Sequence, residues 1–381
     1  MGDCFYDGVI VGAGPGGLAT LAALLDAGLS KILWVDVTFE GGRLNQLYRE
    51  ISSNTKIGIY LDAVYSSGAC RSIIASTPAP NAITRLETMD RDSTCQLSLA
   101  GDMICMLRDG FFRRPEVEHM KGIVDTMSLG GDLWTVSASC GRATTRRVFL
   151  CTGSRPKPAT LHFPFNPKLK VLDLDECMRR SHIPAMFPRD SKSVVAVIGN
   201  SHSGILCCQN LYEFSQCNKR ILKVINFRRR PIKYAKYTER GIVFDNSGLK
   251  GRTAEWAKTV MESDPDPDML EEIDSGKDQD SVFRKYLTKC THIVYAIGYI
   301  SSPWPKIYVE GHQKQEEFEF DMHSSGFHFR DKSARVPGLY GNGIAFPEQV
   351  KDPEGNIEAA VGIAKFFSFA ERTKDSWLYV Q

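Results

Sequence analysis

The sequence lacks the features that mark several classes of protein. It has no apolar run as long as a membrane-spanning helix, so no membrane span is predicted. Its 47 basic and 45 acidic residues leave a formal net charge of +2. That balance gives no reason to expect nucleic acid or a membrane surface as the main partner. With 381 residues, the chain is long enough for two or three domains.

Cysteines at metal-binding or redox spacing are also missing. Eleven cysteines are scattered from Cys4 to Cys290, and no two of them form C-x-x-C. The adjacent pair Cys207–Cys208 is too close for an ordinary disulfide and does not have the spacing of metal ligands. We therefore expect small buried thiols in a reducing, cytoplasmic environment, and no metal site.

What the sequence does contain is a glycine-rich turn near its start. Gly12, Gly14 and Gly17 form G-x-G-x-x-G between the apolar run Asp7–Val11 and a helical stretch, Leu18–Ala27. The first glycine permits a tight turn, the second lets the backbone approach a pyrophosphate, and the third lets helix and strand pack closely. The turn therefore predicts a dinucleotide site.

The residues around this turn extend the predicted site. Pro15 lies where the helix begins, a position at which its missing N–H costs nothing, and the helix N-terminus would face the phosphates. Asp36 ends the next apolar run, 24 positions after the first glycine, where a carboxylate holding a ribose hydroxyl is expected. Gly41 and Gly42, just before Arg43, would let the backbone pass close to a flat ring, unless they form an ordinary turn.

A second unit of the same kind follows. Ser193–Ile198 reads as a buried strand, Gly199–Gly204 is G-x-S-x-S-G, Ile205–Phe214 has helical spacing, and Arg220–Phe227 reads as the next strand. The basic triplet Arg228–Arg230 comes where the first unit has its carboxylate. Arginines there suit a ribose 2′-phosphate, so the second unit is predicted to prefer NADPH over NADH. The alternative is a solvated surface run.

Two polar residues are candidates for a role in the chemistry. Asn54 lies in the polar segment Leu47–Lys56, which predicts a loop or a cleft wall. Its amide both donates and accepts hydrogen bonds, which suits it to hold a polar intermediate, although a turn or helix-cap role fits equally well. His202, inside the second glycine turn, is expected to face solvent or phosphate rather than to act in catalysis.

Two other segments have predicted structures. Glu262–Asp280 is acidic and lacks aromatic residues, which predicts an exposed insertion. The last helix is expected from about residue 356 to residue 372, and its N-terminus could face the pyrimidine oxygen of a flavin. A plain packing helix is the alternative.

The two glycine turns begin 187 residues apart, and a dehydrogenase with a single nicotinamide needs only one. Two turns indicate that one nucleotide supplies electrons and the other receives them, with FAD in the first unit and NADPH in the second. Phe149–Gly153 reads as a strand ending in Thr152-Gly153, and prolines at Pro156–Pro158 and Pro303–Pro305 mark domain crossings. The predicted fold is α/β: an FAD-binding Rossmann-like domain of residues 1–158 and 290–381, with an inserted NADPH-binding Rossmann-like domain of residues 159–289.

The order of these motifs resembles that of the two-dinucleotide-binding-domain flavoproteins, and within them most closely the flavin-containing monooxygenases. The matching segments are Gly12-Ala13-Gly14-Pro15-Gly16-Gly17, Gly41-Gly42, Ser53-Asn54-Thr55, the G-x-S-x-S-G turn and Ala296-Ile297-Gly298-Tyr299. Three features depart from the motifs of those families. The Phe-x-Gly-x-x-x-His signature is absent between Arg155 and Asp190, Ile297 replaces threonine, and Gly343 is followed by Ile344 rather than by aspartate. In addition, the acid expected at the first ribose is Asp36 rather than glutamate.

The resemblance implies an FAD-dependent, NADPH-using monooxygenase. Such an enzyme takes molecular oxygen and a small organic substrate, and performs N-, S- or Baeyer–Villiger-type oxygenation through a C4a-hydroperoxyflavin. Asn54 would be the catalytic residue. The implied cofactor-binding residues are Gly12, Gly14, Pro15, Gly16, Gly17, Asp36, Gly41, Gly42, Arg43, Asn54, Thr152, Gly153, Gly199, Asn200, Ser201, Ser203, Gly204, Arg228, Arg229, Gly298 and Gly343.

The three departures leave two other functions open. One is an NADPH-dependent flavin reductase or oxidase that inserts no oxygen. The other is a non-catalytic regulatory protein on a degenerate flavoprotein scaffold. The sequence names neither the substrate nor the oligomeric state.

Overall fold

The computed structural model describes residues 4–139, 141–159, 166–187, 192–218, 222–331 and 334–378. The predicted strand start at Arg220 lies outside these ranges. The strands are β1 (Cys4–Tyr6), β2 (Gly8–Val11), β3 (Ile32–Asp36), β4 (Ser52–Lys56), β5 (Thr94–Gln96), β6 (Val117–Lys121), β7 (Val124–Gly130), β8 (Leu133–Ala138), β9 (Gly141–Thr145), β10 (Val148–Leu150), β11 (Ser154–Pro156), β12 (Lys170–Leu172), β13 (Ser193–Ile198), β14 (Leu222–Arg228), β15 (Lys236–Thr238), β16 (Gly241–Val243), β17 (Leu270–Asp274), β18 (His292–Tyr295), β19 (Tyr299–Ser301), β20 (Lys306–Val309), β21 (His312–Gln313), β22 (Phe318–Phe320), β23 (Gly326–Phe329), β24 (Arg335–Gly341), β25 (Glu348–Lys351) and β26 (Ile357–Ala360).

The α-helices are fewer and mostly short. They are α1 (Pro15–Asp26), α2 (Gly42–Leu47), α3 (Ile57–Ser66), α4 (Gly68–Ser76), α5 (Ala82–Glu87), α6 (Leu97–Phe111), α7 (Leu174–Met178), α8 (Ile183–Met186), α9 (His202–Asn218), α10 (Gly251–Trp256), α11 (Gln279–Leu287) and α12 (Ile363–Leu378). No described helix is long and apolar enough to cross a membrane.

Two sheets contain the same arrangement of five parallel strands. The first sheet has seven strands in the order β22-β23-β24-β10-β2-β3-β6, in which β22 and β23 pair antiparallel, and the second has the order β12-β18-β13-β14-β17. All neighbours within these two sets of five strands pair in parallel. In each set the glycine-turn strand, β2 or β13, lies in the middle, with the following strand on one side. The α/β prediction of two Rossmann-like units is confirmed.

The apolar runs of the sequence form strands buried on both faces. Every residue of β2 is buried, and α1 buries nine residues against the sheet. The helices α1, α3, α6 and α12 contribute to the core on one face of the first sheet. A separate six-stranded sheet, in the order β1-β9-β8-β7-β20-β21, contributes Trp134 and Met127 to the core on the other face of the first sheet. The first unit therefore has three layers.

Two strands, each directly preceded by a glycine, connect the units. β11 pairs antiparallel with β19, and this ribbon follows Gly153 on one strand and Gly298 on the other. The Lys157 N–H donates to the Gly298 carbonyl at 2.9 Å, and the Ser302 N–H donates to the Gly153 carbonyl at 2.9 Å. The chain thus crosses between the units twice, side by side, at the two predicted proline-containing crossings.

Three segments differ from their predicted structures. β18 pairs with β13 and β12, so the insertion extends past the predicted boundary at residue 289. The acidic stretch contains β17, which pairs with β14 at the sheet edge, where one exposed side tolerates acidic residues. Residues 357–360, predicted as helical, form β26 paired with β25, and the last helix begins only at Ile363, after Gly362.

Both glycine turns close on a strand carbonyl. A Cβ on Gly12, which has φ +112°, would overlap the Cys151 carbonyl oxygen, and a Cβ on Gly199, which has φ +111°, would overlap the Ala296 carbonyl oxygen. The last glycine of each turn, Gly17 or Gly204, packs in the same way against the carbonyl of the first. Only glycine fits these four positions for space, and at Gly12 and Gly199 the positive φ also favours glycine.

Replacing Gly12 by alanine is expected to destabilise the fold by about 2 kcal/mol or more, because the new Cβ meets a backbone oxygen in a left-handed conformation. The measurement is urea unfolding of the protein without added nucleotide. Gly130→Ala is the matched control, since Gly130 has open space and no positive φ. Equal unfolding midpoints for the two variants would contradict the assignment of Gly12 to a closed turn.

Candidate dinucleotide sites and their junction

Two helix N-termini lie together at the carboxyl edge of the first sheet. The side chain of Asn342, which follows β24, is buried and donates from Nδ2 to the Thr20 hydroxyl at 3.1 Å and to the Phe366 carbonyl at 3.3 Å. Thr20 is in α1 and Phe366 is in the first turn of α12, so Asn342 holds both helix beginnings beside the end of the strand. The backbone N–H groups of two helix N-termini therefore face the same groove.

Four glycines line this groove at backbone contact distance. A Cβ added to Gly16 would lie 2.6 Å from the Gly343 Cα, and a Cβ added to Gly42 would lie 3.0 Å from the Gly14 Cα. The first glycine turn, the start of α2 and the residue after Asn342 therefore approach one another through backbone atoms, with no side chain between them. The Thr152 hydroxyl, just after β10, is buried and has no hydrogen-bond partner among the described residues. A narrow polar groove with an unused donor suits a bound nucleotide.

Asp36 lies at the predicted end of β3, but its carboxylate is already bonded to backbone. Oδ2 accepts the Ala13 N–H at 2.8 Å, and Oδ1 accepts the N–H groups of Thr38 and Phe39 at 2.9 and 2.7 Å. The side chain therefore ties the glycine turn to the loop after β3. The Thr38 hydroxyl also donates to Oδ1, at 3.5 Å, and is the weakest of the four contacts, so it is the one that a ribose hydroxyl could replace.

Arg43 was predicted to contact the cofactor, whereas the structure pairs it with the insertion. Its guanidinium forms an ion pair with Asp175 of α7, and the Tyr48 hydroxyl donates to the same carboxylate at 2.8 Å. The Asp175 side chain is only 10% exposed. The Tyr299 hydroxyl hydrogen-bonds to Tyr48 and also to Ser203 of the second glycine turn. Arg43 thus anchors a polar network between the two units.

The second glycine turn repeats the first in its polar contacts. Trp34, two residues before Asp36, donates from Nε1 to the Gly12 carbonyl at 2.9 Å. Asn226 holds the equivalent place before Arg228 and donates from Nδ2 to the Gly199 carbonyl at 2.9 Å. These matched contacts show that the two turns have the same local arrangement, and α9 begins at the second turn as α1 begins at the first.

His202, predicted to face solvent or phosphate, is the first residue of α9, and its ring does not face solvent. Its Nδ1 atom is buried and has no hydrogen-bond partner among the described residues. Burial, together with the ammonium of Lys250, lowers the pKa of His202 to about 4. The ring is therefore neutral at pH 7, with one nitrogen able to donate and the other able to accept.

The arginines after β14 differ from one another in their surroundings. Arg228 pairs with Glu272 at 2.5 Å and with Asp274 at 3.4 Å, both on β17. Arg229 and Arg230 are exposed, and within the described residues neither side chain has an ionic partner. The prediction that Arg228 faces a 2′-phosphate is therefore weakened, because its charge is already compensated.

Asn54 lies where the two units meet. It is half-buried on β4, and its Cα lies 3.5 Å from the position that a Cβ on Gly251 would occupy. Gly251 begins α10 of the insertion and follows Lys250, the residue whose charge acts on His202. Asn54 and the start of α9 are therefore brought together by one short segment of the insertion.

A second set of polar contacts ties the insertion to the C-terminal segment. Asp245 pairs with Lys250 at 2.7 Å and also with Lys365 of α12. Glu358 of β26 is buried and accepts the N–H groups of Asn246 and Ser247 at 3.0 and 3.1 Å. Except for the Asp245–Lys250 pair, each of these contacts joins residues about 110 or more positions apart in the sequence. No local sequence pattern predicts such contacts.

A cavity of about 620 Å³ lies beside these contacts, between the β15–β16 hairpin, the β25–β26 hairpin and α12. Its ionisable lining side chains are four acids, Asp245, Glu348, Asp352 and Glu358, and four bases, Arg240, Lys351, Lys365 and Arg372. The charges balance, so the lining does not select for a charged molecule.

Comparison with known proteins identifies the family. No protein-family model matches the chain. A curated relative, the monooxygenase AgnR1 of Paecilomyces divaricatus, is 38% identical over 388 residues, which cover 97% of each chain. The chain belongs to this monooxygenase family. It is therefore an oxidoreductase, and the predicted monooxygenase function is confirmed at the level of the family.

Solved structures confirm the fold of this monooxygenase. DfoA, the cadaverine monooxygenase of Erwinia amylovora bound to FAD, matches with a TM-score of 0.56 at 12% identity over 99% of this chain and 94% of that chain. Cyclohexanone monooxygenase from Rhodococcus, bound to NADP⁺, matches with a TM-score of 0.57 at 11% identity over 98% and 84%. Flavin-containing monooxygenases and thioredoxin reductases are also among the structural neighbours.

The Arg43–Asp175 pair is expected to couple the two units energetically. In a double-mutant cycle with Arg43→Ala and Asp175→Ala, the interaction energy should be about 1–3 kcal/mol, because the carboxylate is nearly buried. Equilibrium unfolding in urea measures it.

The exposed pair Arg91–Asp62, with side chains 56% and 71% exposed, provides the control. Its cycle should show no measurable coupling. An Arg43–Asp175 cycle that is equally flat would show that the contact does not hold the units together.

Proposed function

We propose that this monooxygenase binds FAD in the groove between α1, Gly42 and Gly343, and NADPH at the N-terminus of α9. The observation that carries the proposal is the pair of equivalent glycine turns, each closed on a strand carbonyl and each presenting a helix N-terminus. The FAD-bound and NADP⁺-bound structural neighbours support the same assignment.

The residues present fit both cofactors. The first groove has no side chains at Gly14, Gly16, Gly42 and Gly343, and the Thr152 hydroxyl has an unused donor. The second turn has the Ser201 and Ser203 hydroxyls at the positions that Gly14 and Gly16 hold in the first turn, together with an unpartnered nitrogen on His202. FAD, when bound, would supply the acceptance of hydride from NADPH and the activation of oxygen.

The protein's own contribution is to position the two cofactors and keep water out. Two polar contacts between the units, Arg43–Asp175 and Asp245–Lys365, set the distance between them. A hydride donor and acceptor must be held within near-contact geometry, which such ties favour. Asn54, half-buried at the junction, is the proposed hydrogen-bonding residue of the reaction centre.

The small organic substrate is proposed to enter through the 620 Å³ cavity, which opens between the two units and is lined by Asp245 and Lys365. Its balanced charge and the apolar side chains of Ile242, Val350 and Ala360 favour an uncharged molecule. The ten described cysteines are all free thiols, which supports the proposed cytoplasmic location.

An absorbance spectrum of the purified protein tests the proposal first. Flavin bands that bleach with one equivalent of NADPH under anaerobic conditions, and a product that carries one oxygen atom after air is admitted, are the expected result. Bleaching followed by stoichiometric peroxide, with every substrate tried, would favour a reductase or oxidase. A colourless protein that takes up no FAD would leave the regulatory alternative.

Asn54→Ala is expected to raise the amount of peroxide released per NADPH consumed, because the hydrogen bond at the reaction centre is lost. Hydrogen-bond contributions of about 1–1.5 kcal/mol correspond to roughly a fivefold to tenfold change. Thr55→Val is the control, since its side chain leaves the same strand on the opposite face. An unchanged peroxide ratio in Asn54→Ala would remove this residue from the mechanism.

Recognition of the 2′-phosphate is expected to depend on Arg229 and Arg230 rather than on Arg228. The double variant Arg229→Ala/Arg230→Ala should raise the KM for NADPH roughly tenfold or more and leave the KM for NADH unchanged, because charge-assisted hydrogen bonds to the extra phosphate are lost. Steady-state kinetics with both nucleotides measure the difference. A larger loss in Arg228→Ala would return the role to the paired arginine.

A further inference from the structure

An aspartate of the insertion is held between two lysines that belong to different units. Asp245 pairs with Lys250 of its own segment and with Lys365 of α12, and the side chains of the three are 26%, 11% and 31% exposed. Burial opposes ionisation of this carboxyl, but the two ammonium groups hold the pKa of Asp245 below its usual value. The cluster is therefore a charged bridge across the junction.

One end of the bridge is at the N-terminus of α12. Lys365 is the third residue of that helix. Asn342 bonds to Phe366, the next residue, and also reaches the Gly16 carbonyl at 3.5 Å, in the first turn of α1. The ammonium of Lys365 is thus carried on the helix turn that borders the proposed FAD groove.

The position along that groove can be assigned from the strand order. Asp36 ends β3, the strand on one side of β2, whereas β10 and β24 lie on the other side. A dinucleotide with its ribose toward Asp36 and its pyrophosphate at α1 extends its other end toward β24 and α12. That other end is the flavin ring, so Lys365 lies on its side of the groove.

Arg240 and Lys351 line the same cavity without an ion pair among the described residues, whereas three other groups near the bridge are compensated or neutral. Glu358 receives N–H and hydroxyl bonds from Asn246 and Ser247, which offset its charge. Arg372, on the same face of α12 two turns later, pairs with Glu348. His202, next to Lys250, is neutral. Lys365, like Arg43, is therefore a cation whose compensation depends on a residue of the other unit.

We propose that Lys365 raises the reduction potential of the flavin and that Asp245, by partly neutralising it, makes that potential depend on the position of the insertion. The inference rests on the proposed binding of FAD in the first unit. Two-electron reduction adds negative charge to the flavin, and a nearby cation stabilises the reduced form by Coulomb attraction. Asp245 would thus tune the cofactor from the NADPH-binding side.

The experiment measures the two-electron midpoint potential of the FAD-loaded protein against a reference dye. Lys365→Met should lower the potential by about 30 mV, which corresponds to a tenfold change in the equilibrium constant. Asp245→Asn should move it in the opposite direction, because the ammonium loses its counter-charge. Lys365→Arg keeps the charge and should stay near the wild-type value.

The opposite signs separate an electrostatic role from a structural one, because loosening of the junction would shift both variants in the same direction. Arg372→Met is the matched control on the same helix face and should leave the potential unchanged. Three results would overturn the inference. The first is a potential shift in Lys365→Met that corresponds to less than a twofold change in the equilibrium constant. The others are shifts of equal sign in Lys365→Met and Asp245→Asn, or an equal shift in Arg372→Met. A wild-type protein that binds no FAD would instead refute the proposed function on which it rests.

Discussion

The structure depends on one steric constraint, applied twice: a strand carbonyl lies where a side chain would otherwise project. At Gly12 the oxygen belongs to Cys151, and at Gly199 it belongs to Ala296. Each carbonyl belongs to the residue that directly follows a neighbouring parallel strand. The position of each turn therefore depends on the sheet as well as on the residues of the turn. The helix that follows begins at the carboxyl edge, where the N–H groups at its N-terminus face an anion. Both candidate nucleotide sites follow from this approach of backbone to backbone.

The junction between the units combines an apolar contact with charges and hydrogen bonds. Ile51 of the first unit is buried in the core cluster of the insertion, together with Leu174 and Val195. Arg43 and Asp175 join the units on one side, and Asp245 and Lys365 join them on the other. Polar contacts specify one orientation, because a displaced partner would leave a half-buried charge uncompensated. The two ties therefore favour one orientation of the insertion against the first unit.

The correspondence between the two units explains how one protein can handle two nucleotides with different partners. The strands have the same order, and Trp34 and Asn226 make the same contact with the first glycine of each turn. The two units differ at the position two residues further along the strand, which is Asp36 in the first unit and Arg228 in the second. Asp36 is bonded to backbone N–H groups of its own loop, whereas Arg228 is paired with the acids of β17. The same scaffold thus presents differently charged surroundings to each nucleotide.

Much of this arrangement was determined by the sequence alone, because its signals are local. The glycine spacing, the apolar strands and the order of motifs predicted both units, the two crossings and the monooxygenase family. The sequence did not predict β17 inside an acidic stretch, the late start of α12 at Ile363, or the partners of Arg43, Arg228 and Lys365. Those features depend on contacts between residues that are mostly far apart in the chain. The compensation of a charge by a distant side chain leaves no periodicity or spacing to be read, and only the tertiary structure decides it.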